Sequence, residues 1–584
     1  MKLSLFGESG IQITVLLILI PVLVGLLLAV IKLYSTYKYL KKRNELNAFN
    51  KKVAGLTDEE IEAYRKREEQ LKFQLPENVL SGSHQPSDGK GLITNINTVE
   101  ELRVLPSKKS IREQNYVSKD VSKMVLYYIA CSIFWLLAGT SVGEYLGIKF
   151  VSPDVDHVSW LSFGRLRPVH TNIVFWGWAS IAMVGLANYA VPRVSNVKLH
   201  SLKLGYWALI LMNLSVLIGS VSLMAGINNG GGEYREYIWP IMLLFATGVG
   251  LTLFNFLKTI ASRTTGDIYV SNWYITSAVM YVIVILLAAY LPFWQDGLAE
   301  TIIQGYYMHQ GVGMWFMFFC LGLMYYFLPQ QLNKPIYSYS LGVLAFWTQI
   351  LFYTLIGSHH FIFSAIPWWM QTVAIVASVG MVIPVVAGTA NFLLTFNGSW
   401  YQLKTSYVLP FYLISIIFYF SGSLQGTAEA FRFTNLIWHF TDFTVAHSHM
   451  TMYGIITFML FAFIYTLVPR ITGKEPPKAW VGIHFWLALV GLMFYIVPLM
   501  IGSTEKGLMW MEKKPFIESV VHSVPYWLWR AIGGTMMWIS HFVFAYNFYK
   551  MVDRRPEIYI PTTAAEILEA KRQLKNTEFN PQQK

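Results

Sequence analysis

Long apolar runs joined by short polar connections make up most of this chain. A run of about 18 or more residues with few charges is long enough to cross the hydrocarbon core of a bilayer as a helix. The first such run lies at 12–33. Twelve more follow at 122–148, 166–192, 203–226, 238–260, 270–291, 303–328, 339–361, 369–396, 405–424, 436–468, 479–503 and 526–549. The pattern predicts an all-α integral membrane protein, a twelve-helix bundle with one extra N-terminal transmembrane helix.

The polar segments divide the chain into four predicted parts. These are a transmembrane anchor at 1–33, a polar cytoplasmic linker at 34–121, the twelve-helix domain at 122–550 and a cytoplasmic C-terminal tail at 551–584. The anchor is followed by the basic run KYLKKR and not by a small-residue cleavage motif. That arrangement is typical of a retained helix rather than a removed signal peptide, so we expect the anchor to persist.

The net charge of +12 has a membrane explanation. Lys and Arg gather in alternate connections, for example at 41–43 and 470–478, whereas the intervening connections carry acids such as Asp154 and Glu300. This alternation follows the positive-inside rule in a lipid bilayer, so the charge does not indicate a nucleic-acid partner. It predicts that the N-terminus lies outside and the C-terminus lies in the cytoplasm.

Two histidines two residues apart, His447 and His449, stand inside an apolar run. Residues i and i+2 of a helix point roughly 200° apart, so one helix can present an imidazole on each of two opposite faces. This geometry suits two hemes on either side of one helix. A single intramembrane histidine is ordinarily a hydrogen-bonded core residue, but that interpretation weakens as more histidines join.

Six histidines fall at a similar depth in the outer half of four predicted spans: His170, His309, His359, His360, His447 and His449. A low-spin heme takes two axial imidazoles, a high-spin heme takes one, and a copper center takes three nitrogen ligands. These requirements also total six. Adjacent histidines reach the same metal only near a helix end, where the SHH run lies. A many-span transporter with intramembrane histidines is the non-enzyme alternative, and it would not require six at one depth.

Four motifs resemble the catalytic subunit of heme-copper oxidases, and within it the cbb3-type or C family: FGRLRPVHTN at 163–172, YSYSLGVLAFW leading into LFYTLIGSHH at 337–360, FTDFTVAHSH at 440–449, and PYWLWRAIGG at 525–534. The resemblance covers about 122–550. It implies a respiratory enzyme of the bacterial inner membrane that reduces dioxygen to water, with electrons from cytochrome c and protons from the cytoplasm. The implied ligands are His170 and His449 for a low-spin heme b, His447 for a high-spin heme of b type, and His309, His359 and His360 for copper.

Further roles follow from the same resemblance. Tyr353 takes the position of a tyrosine that supplies an electron and a proton and is linked to a copper-ligand histidine, here His309. Arg165, Arg167 and Arg530 are expected to pair with heme propionates, because buried charges need partners. Glu233 and Glu236 resemble an acidic pair associated with calcium. Tyr326, Ser338 and Tyr339 lie near the expected cytoplasmic entrance for protons.

The chain departs from the family pattern at Gln425, where a glutamate precedes Gly426 in relatives. The AHSHM variant and the VGLANYAVP segment also resemble nitric oxide reductases, sister enzymes that hold non-heme iron in place of copper. Those enzymes typically lack the tyrosine and carry glutamates near the metal, so Tyr353 and the absence of acids around His309 favour an oxidase. Only Cys131 and Cys320 are present, without a C-x-x-C-H motif, so we expect a membrane-anchored c-type cytochrome subunit to deliver electrons.

Overall fold

The computed structural model describes residues 34, 36–57, 59–60, 62–63, 66, 117–230, 232–292, 296–553 and 569–571. The predicted anchor at 12–33 and most of the predicted linker lie outside these residues. The described residues fall into two compact units. Residues 117–552 belong to the larger unit, and 34–66 and 569–571 belong to the smaller one, in which Lys571 Nζ donates to Leu56 O at 2.6 Å.

Twelve long helices account for most of the larger unit, and we number them in chain order. They are α1 Lys119–Val151, α2 Phe163–Ser195, α3 Leu202–Ala225, α4 Trp239–Ala261, α5 Val270–Tyr290, α6 Leu298–Leu332, α7 Tyr339–Tyr353, α8 Trp368–Thr395, α9 Leu409–Ala430, α10 Phe443–Thr472, α11 Lys478–Met511 and α12 Phe516–Val552. Ten of the described helices are long and apolar enough to cross a membrane; α7 is apolar but has 15 residues, and α12 falls outside the ten. No strand occurs in the described ranges, so the all-α membrane class is confirmed, while the count of twelve plus one stays a prediction.

Three helices form the interior of the bundle. In the most apolar stretch of α2, α6 and α10, 89%, 94% and 89% of the residues are buried, against 39–44% in the other seven candidate spans. The outer helices therefore turn about half of their surface toward lipid, whereas the inner three are enclosed by protein. All six predicted ligand histidines belong to this region: four lie on the three inner helices, and two lie in the turn that follows α7.

Each inner helix contains a π-helical stretch just after its histidine. The stretches are Ile173–Ser180 in α2, Gly311–Met317 in α6 and Met450–Thr457 in α10. A π-helical turn is rare and is found mostly at functional sites, because it changes the direction of the side chains that precede it relative to those that follow it. Its recurrence at the same place in three helices indicates that all three are shaped around one site.

The same three helices also end in the same way. Each has a proline four residues before a terminal residue in the left-handed conformation, as in Pro192 and Asn196 at the end of α2. The other two pairs are Pro329 with Asn333 and Pro469 with Gly473. A left-handed residue closes a helix by satisfying its last carbonyl groups, and Asn and Gly adopt that conformation most readily. The inner helices thus share a local sequence pattern, P-x-x-x-N or P-x-x-x-G.

Candidate metal and cofactor site

Two cavities flank the N-terminal half of α10, one on each face. The first has a volume of about 230 Å³ and contains His170 and His449. The second has a volume of about 400 Å³ and contains the other predicted ligands, His309, His359, His360 and His447. A single water needs about 10–15 Å³ by a comparable measure, so both cavities are sized for a prosthetic group rather than for isolated waters. His447 and His449 face different cavities, as residues on opposite sides of one helix.

Main-chain carbonyl groups orient both histidines of the first cavity. His170 Nδ1 lies 2.7 Å from Gly139 O on α1, and His449 Nδ1 lies 2.9 Å from Val445 O one turn earlier on α10. An imidazole that donates from Nδ1 keeps a free lone pair on Nε2, which is the arrangement of metal-binding histidines. The residues present therefore fit a metal held by two axial imidazoles.

Glycine on α1 makes room for His170. A Cβ added at Gly143 would collide with the His170 ring, and one added at Gly139 would collide with Ile173 and Val174. The two glycines are four residues apart, so they form a G-x-x-x-G face that lets α2 approach α1 closely. Gly143 was not predicted as a site residue, although this spacing was the available signal.

Arginines line the polar edge of the first cavity. Arg167 forms an ion pair with Glu233 at 2.6 Å, and Arg530 Nε donates to Tyr495 OH at 3.0 Å. Arg530 Nη1 is buried and has no hydrogen bond from the described residues, and its nearest anion is Asp442 Oδ1 at 3.9 Å, so its hydrogen-bonding capacity is left for an anionic group of a ligand. Arg165 is placed elsewhere: it donates to Met224 O at 3.1 Å and lines neither cavity, so it drops out of the propionate set.

Three histidines converge in the second cavity. One ring nitrogen each of His309, His359 and His360 lies within 4.8 Å of the others, and His309 Nδ1 is 2.8 Å from His360 Nε2. His309 Nε2 is buried and no described group offers it a hydrogen bond. Three imidazoles packed this closely, with an orphaned nitrogen, fit a metal that takes nitrogen ligands, such as copper.

Local backbone geometry explains how His359 and His360 both reach this point. They lie in the 3-10 turn Gly357–Phe361, directly after α7 ends at Tyr353. Gly357 packs against the main chain of Tyr306 on α6, where a side chain would not fit. His359 Nδ1 lies 2.8 Å from Ser378 Oγ, which itself donates to Ala374 O and therefore accepts from the histidine. Ser378 was not predicted, because serines in spans usually bond only their own backbone.

Tyr353 lies directly against the three-histidine group. Its ring stacks on the His309 ring, with centroids 4.9 Å apart and an interplanar angle of 18°. A Cβ at Gly313, in the π-helical stretch of α6, would overlap the Tyr353 ring. The tyrosine therefore occupies a slot that α6 opens beside His309, and it lines the second cavity.

The partner of His447 is a side chain. His447 Nδ1 lies 3.0 Å from Gln425 Oε1, and Gln425 Nε2 is 3.3 Å from Met500 Sδ, which fixes the direction of the amide. Glu429, one turn further along α9, places Oε1 3.5 Å from the same histidine nitrogen. That oxygen is buried without a hydrogen bond from any described residue, and Glu429 lines the second cavity.

The two predicted calcium ligands have separate partners. Glu233 pairs with Arg167, whereas Glu236 is buried and accepts from Asn172 Nδ2 at 2.8 Å. Burial raises the pKa of Glu236 to about 7. Among the described residues, the three-histidine group is the only set of three or more metal-binding side chains found close together. The structure does not bring the two carboxylates into such a set.

Comparisons with known proteins agree on one family. The profile described as "Cytochrome C and Quinol oxidase polypeptide I" matches residues 123–536. The chain is 30% identical over 451 residues to the "Cbb3-type cytochrome c oxidase subunit CcoN1" of Stutzerimonas stutzeri, covering 74% of this chain and 94% of that protein. It is 30% identical over 447 residues to a "Cytochrome c oxidase subunit 1 homolog" of Agrobacterium tumefaciens (strain T37), covering 73% and 82%. A solved heme-copper terminal oxidase dimer has a similar fold, with a TM-score of 0.63 and 17% identity over 76% of this chain and 87% of the other.

Proposed function

Because this chain belongs to the cytochrome c and quinol oxidase polypeptide I family, the subunit I of heme-copper oxidases, we propose that it reduces dioxygen to water as the catalytic subunit of a cbb3-type terminal oxidase. Family membership makes the chain a membrane-bound oxidoreductase whose class carries heme and copper. The proposal that the chain reduces dioxygen rests on the second cavity, where three clustered histidines and His447 face a shared space.

In the first cavity, His170 and His449 would hold a low-spin heme b. Their Nδ1–H groups donate to main-chain carbonyls, so each Nε2 points its lone pair into the cavity. Arg167 and Arg530 would pair with the propionates and keep this end of the group in place.

In the second cavity, His447 would hold a high-spin heme of b type, and His309, His359 and His360 would hold copper. When bound, these groups supply the metals at which dioxygen is reduced. Tyr353 would contribute one proton and one electron, because its ring already stacks on a copper-ligand histidine. A covalent link between Tyr353 and His309 is part of the proposal.

Protons would enter along α7. At its start Ser338 exchanges main-chain hydrogen bonds with the amide of Asn391, at 2.9 and 2.8 Å, and Asn391 Nδ2 is also 3.5 Å from Tyr325 OH. Tyr326 lies instead beside Arg193, away from this group, so it is not part of the proposed route.

Buried polar atoms continue this route toward the second cavity. Tyr274 OH, Thr389 Oγ1 and both polar atoms of Gln349 are buried without hydrogen bonds to other described residues. Gln349 is one helical turn before Tyr353 on α7. Because unpaired buried polar groups are costly, these atoms indicate bound waters that would carry protons to Tyr353.

Electrons would come from cytochrome c through a membrane-anchored c-type cytochrome subunit, since the chain has no C-x-x-C-H motif of its own. The orientation with the N-terminus outside and the C-terminus in the cytoplasm rests on the positive-inside pattern. Calcium at Glu233 and Glu236 stays a prediction from the family resemblance alone.

A nitric oxide reductase with non-heme iron is the second candidate, because the Glu429 carboxylate lines the second cavity. Carboxylates are ligands that iron accepts more readily than copper does. Glu429 is not part of the three-histidine group, however, whereas the Tyr353 ring stacks on His309 of that group. Both observations favour the oxidase.

Metal analysis combined with turnover tests the proposal. We expect the purified complex to contain about one copper per two b-type hemes, counted apart from the covalently bound hemes of the c-type subunit, and to reduce dioxygen much faster than nitric oxide. Copper-free protein with a third iron and a preference for nitric oxide would support the reductase instead. Absence of a heme absorption band would refute both and would favour the transporter interpretation.

Tyr353→Phe tests the role of the phenol. We expect dioxygen turnover to fall at least about 100-fold, the scale of a lost proton-transfer group, while both heme spectra remain. Tyr337→Phe, at the exposed start of the same segment, is the matched control and should keep wild-type turnover. Turnover of Tyr353→Phe within twofold of wild type would contradict the assignment.

A further inference from the structure

A polar cluster centred on His541 lies at the wall of the first cavity and does not include the predicted ligand histidines. His541 on α12 lies between Thr140 on α1 and Tyr453 on α10, with His541 Nδ1 3.1 Å from Thr140 Oγ1 and His541 Nε2 3.0 Å from Tyr453 OH. Ser540 Oγ is 3.3 Å from the same phenol oxygen. His541, Tyr453 and Thr140 all line the cavity. An ionisable side chain inside a membrane bundle needs a functional explanation, and neither metal site uses this one.

The hydrogen bonds of this cluster are complete when His541 is neutral. Thr140 Oγ1 donates to Leu136 O at 2.7 Å, so it accepts from His541 Nδ1–H. The hydroxyl hydrogen of Tyr453 then donates to the lone pair on His541 Nε2. Ser540 Oγ donates to Met537 O at 2.6 Å and needs nothing from the phenol.

The hydrogen bonds are equally complete when His541 carries a second proton. Its Nε2–H then donates to the Tyr453 oxygen, and the phenol hydrogen rotates to Ser540 Oγ, which still donates to Met537 O. His541 Nδ1–H keeps Thr140 as its acceptor. Only one hydroxyl group turns, so the site accepts both protonation states without breaking a hydrogen bond.

Another buried histidine, on the neighbouring helix α11, lacks this property. His484 on α11 pairs through Nδ1 with Tyr465 OH at 3.0 Å, but its Nε2 has no partner in the described part of the chain. The rings of Phe461 and Phe544 enclose it, with centroids 4.4 and 5.1 Å from its own. A protonated His484 would bury an unpaired, charged N–H group, and the residue lines neither cavity.

We propose that His541 is a proton-binding site coupled to the group in the first cavity, taking up a proton when that group is reduced and releasing it on oxidation. This rests on the proposed function, which supplies the low-spin heme and the electron. One electron from the c-type cytochrome enters the cavity, and one proton from water binds His541 Nε2, so the added negative charge is balanced. Oxidation reverses both transfers.

The charged and titratable groups around His541 are compatible with this role. From α1, the half-buried Glu144 faces the same cavity and accepts from Thr535 Oγ1 at 2.6 Å. From α10, Tyr453 contacts the imidazole, and from α11, His484 lies behind the two phenylalanine rings. A carboxylate at Glu144 and a reduced group in the cavity would both favour a cationic imidazole at His541.

The test is the pH dependence of the low-spin heme midpoint potential, measured by spectroelectrochemical titration of the purified complex between pH 6 and 9. In the wild type we expect the potential to fall as pH rises, because reduction then binds a proton. In His541→Gln, which keeps hydrogen-bonding atoms but binds no proton, we expect the slope to fall below half of the wild-type value. Tyr453→Phe, which removes the rotating hydroxyl, should reduce the slope in the same way.

His484→Gln is the matched control, because it removes a buried histidine of the neighbouring helix α11 that lines neither cavity, and it should leave the slope unchanged. A wild-type slope in His541→Gln would overturn the inference. If neither variant retained heme, redox difference infrared spectra of wild-type enzyme with 15N-labelled histidine would decide: imidazolium bands that appear on reduction support the inference, and their absence refutes it. A preparation without any low-spin heme would instead refute the proposed function.

Discussion

The two cavities beside α10 hold their histidines by different means. In the first, the Nδ1–H groups of His170 and His449 donate to the main-chain carbonyls of Gly139 and Val445. Helix geometry fixes a main-chain carbonyl whatever side chain its residue carries. Val445 can therefore be substituted without loss of the acceptor for His449, whereas Gly139 is limited by space, because a Cβ there would collide with Ile173 and Val174.

In the second cavity, the hydrogen-bond partners of the histidines are side chains. His447 donates to Gln425, His359 donates to Ser378, and His309 meets His360 directly. Each of these partners can be exchanged by mutation, which changes the basicity and direction of the ligand. In the predicted electron-entry site, the acceptors are main-chain groups that most substitutions leave in place. In the predicted reaction site, single substitutions can change the acceptor of a histidine and thereby its basicity.

The strongest test of this division removes a ligand from the second cavity. His360→Ala should eliminate the second metal and lower turnover by more than the roughly 100-fold that loss of an outer partner can cost. The low-spin heme spectrum should persist, because His170 and His449 lie in the other cavity. Copper content, turnover and the reduced-minus-oxidised spectrum are the measurements. A variant that still turns over would refute the ligand assignment.

The first cavity should be vulnerable at its glycine. In Gly143→Ala the new methyl group collides with the His170 ring, and overpacking of this kind costs about 1–3 kcal/mol. We expect heme retention at the low-spin site to weaken by about 10- to 100-fold, measured from the low-spin band after dialysis. Gly250→Ala, on α4, is the control, because its Cβ position has open space and the residue lines neither cavity. Equal retention in both variants would show that His170 does not need this space.

Substitutions at Gln425 should shift the high-spin heme potential in opposite directions. Gln425→Glu places a carboxylate on His447 Nδ1, makes the imidazole more basic and should lower the midpoint potential. Gln425→Leu removes the acceptor and should raise it, with turnover reduced about 10-fold. Potentiometric titration of the high-spin band separates the two variants. Shifts of the same sign would mean that the hydrogen bond to His447 does not set the potential.

Ser378→Ala should have the smallest effect. It removes the acceptor of His359 Nδ1, but the other two histidines still hold the metal, so we expect copper affinity to fall by about 10-fold or less. Copper retention during chelator titration gives the measurement. Ser421→Ala, which removes an exposed serine hydroxyl bonded only to Ile417 O on α9, controls for a general effect of losing a serine. A loss as large as that in His360→Ala would show that Ser378 does more than orient His359.

The six histidines that line the two cavities could be identified from the sequence, whereas the groups that orient them could not. Intramembrane histidines are rare enough to be informative by position alone. Gly139 and Val445 act through carbonyl oxygens, which every residue has, so no sequence signal distinguishes them. His541 was not predicted, because its significance lies in the hydrogen-bond network of Thr140, Tyr453 and Ser540, which come from separate helices.

Helix boundaries were predicted well where the apolar run and the helix coincide, as at 203–226 and α3. The predicted run at 339–361 extends past α7, which ends at Tyr353, because apolar residues continue on both sides of the turn that carries His359. The run at 526–549 is shorter than α12, because the first turns of that helix carry polar groups such as Glu518 and His522. Hydropathy records composition along the chain, whereas these boundaries depend on which backbone groups find partners.

In a continuous α-helix, the direction of a histidine and the packing register of the residues after it are fixed together. The three π-helical stretches separate the two. A π-helical turn holds one residue more than an α-helical turn, so each stretch acts as a one-residue insertion. The histidine before it is rotated by roughly 100° relative to the register of the residues after it. The residues after each stretch can therefore pack in their own register, while the histidine before it keeps its direction. A single deletion inside the stretch would do the reverse: the residues after it would keep their packing, and the imidazole would turn away from its cavity.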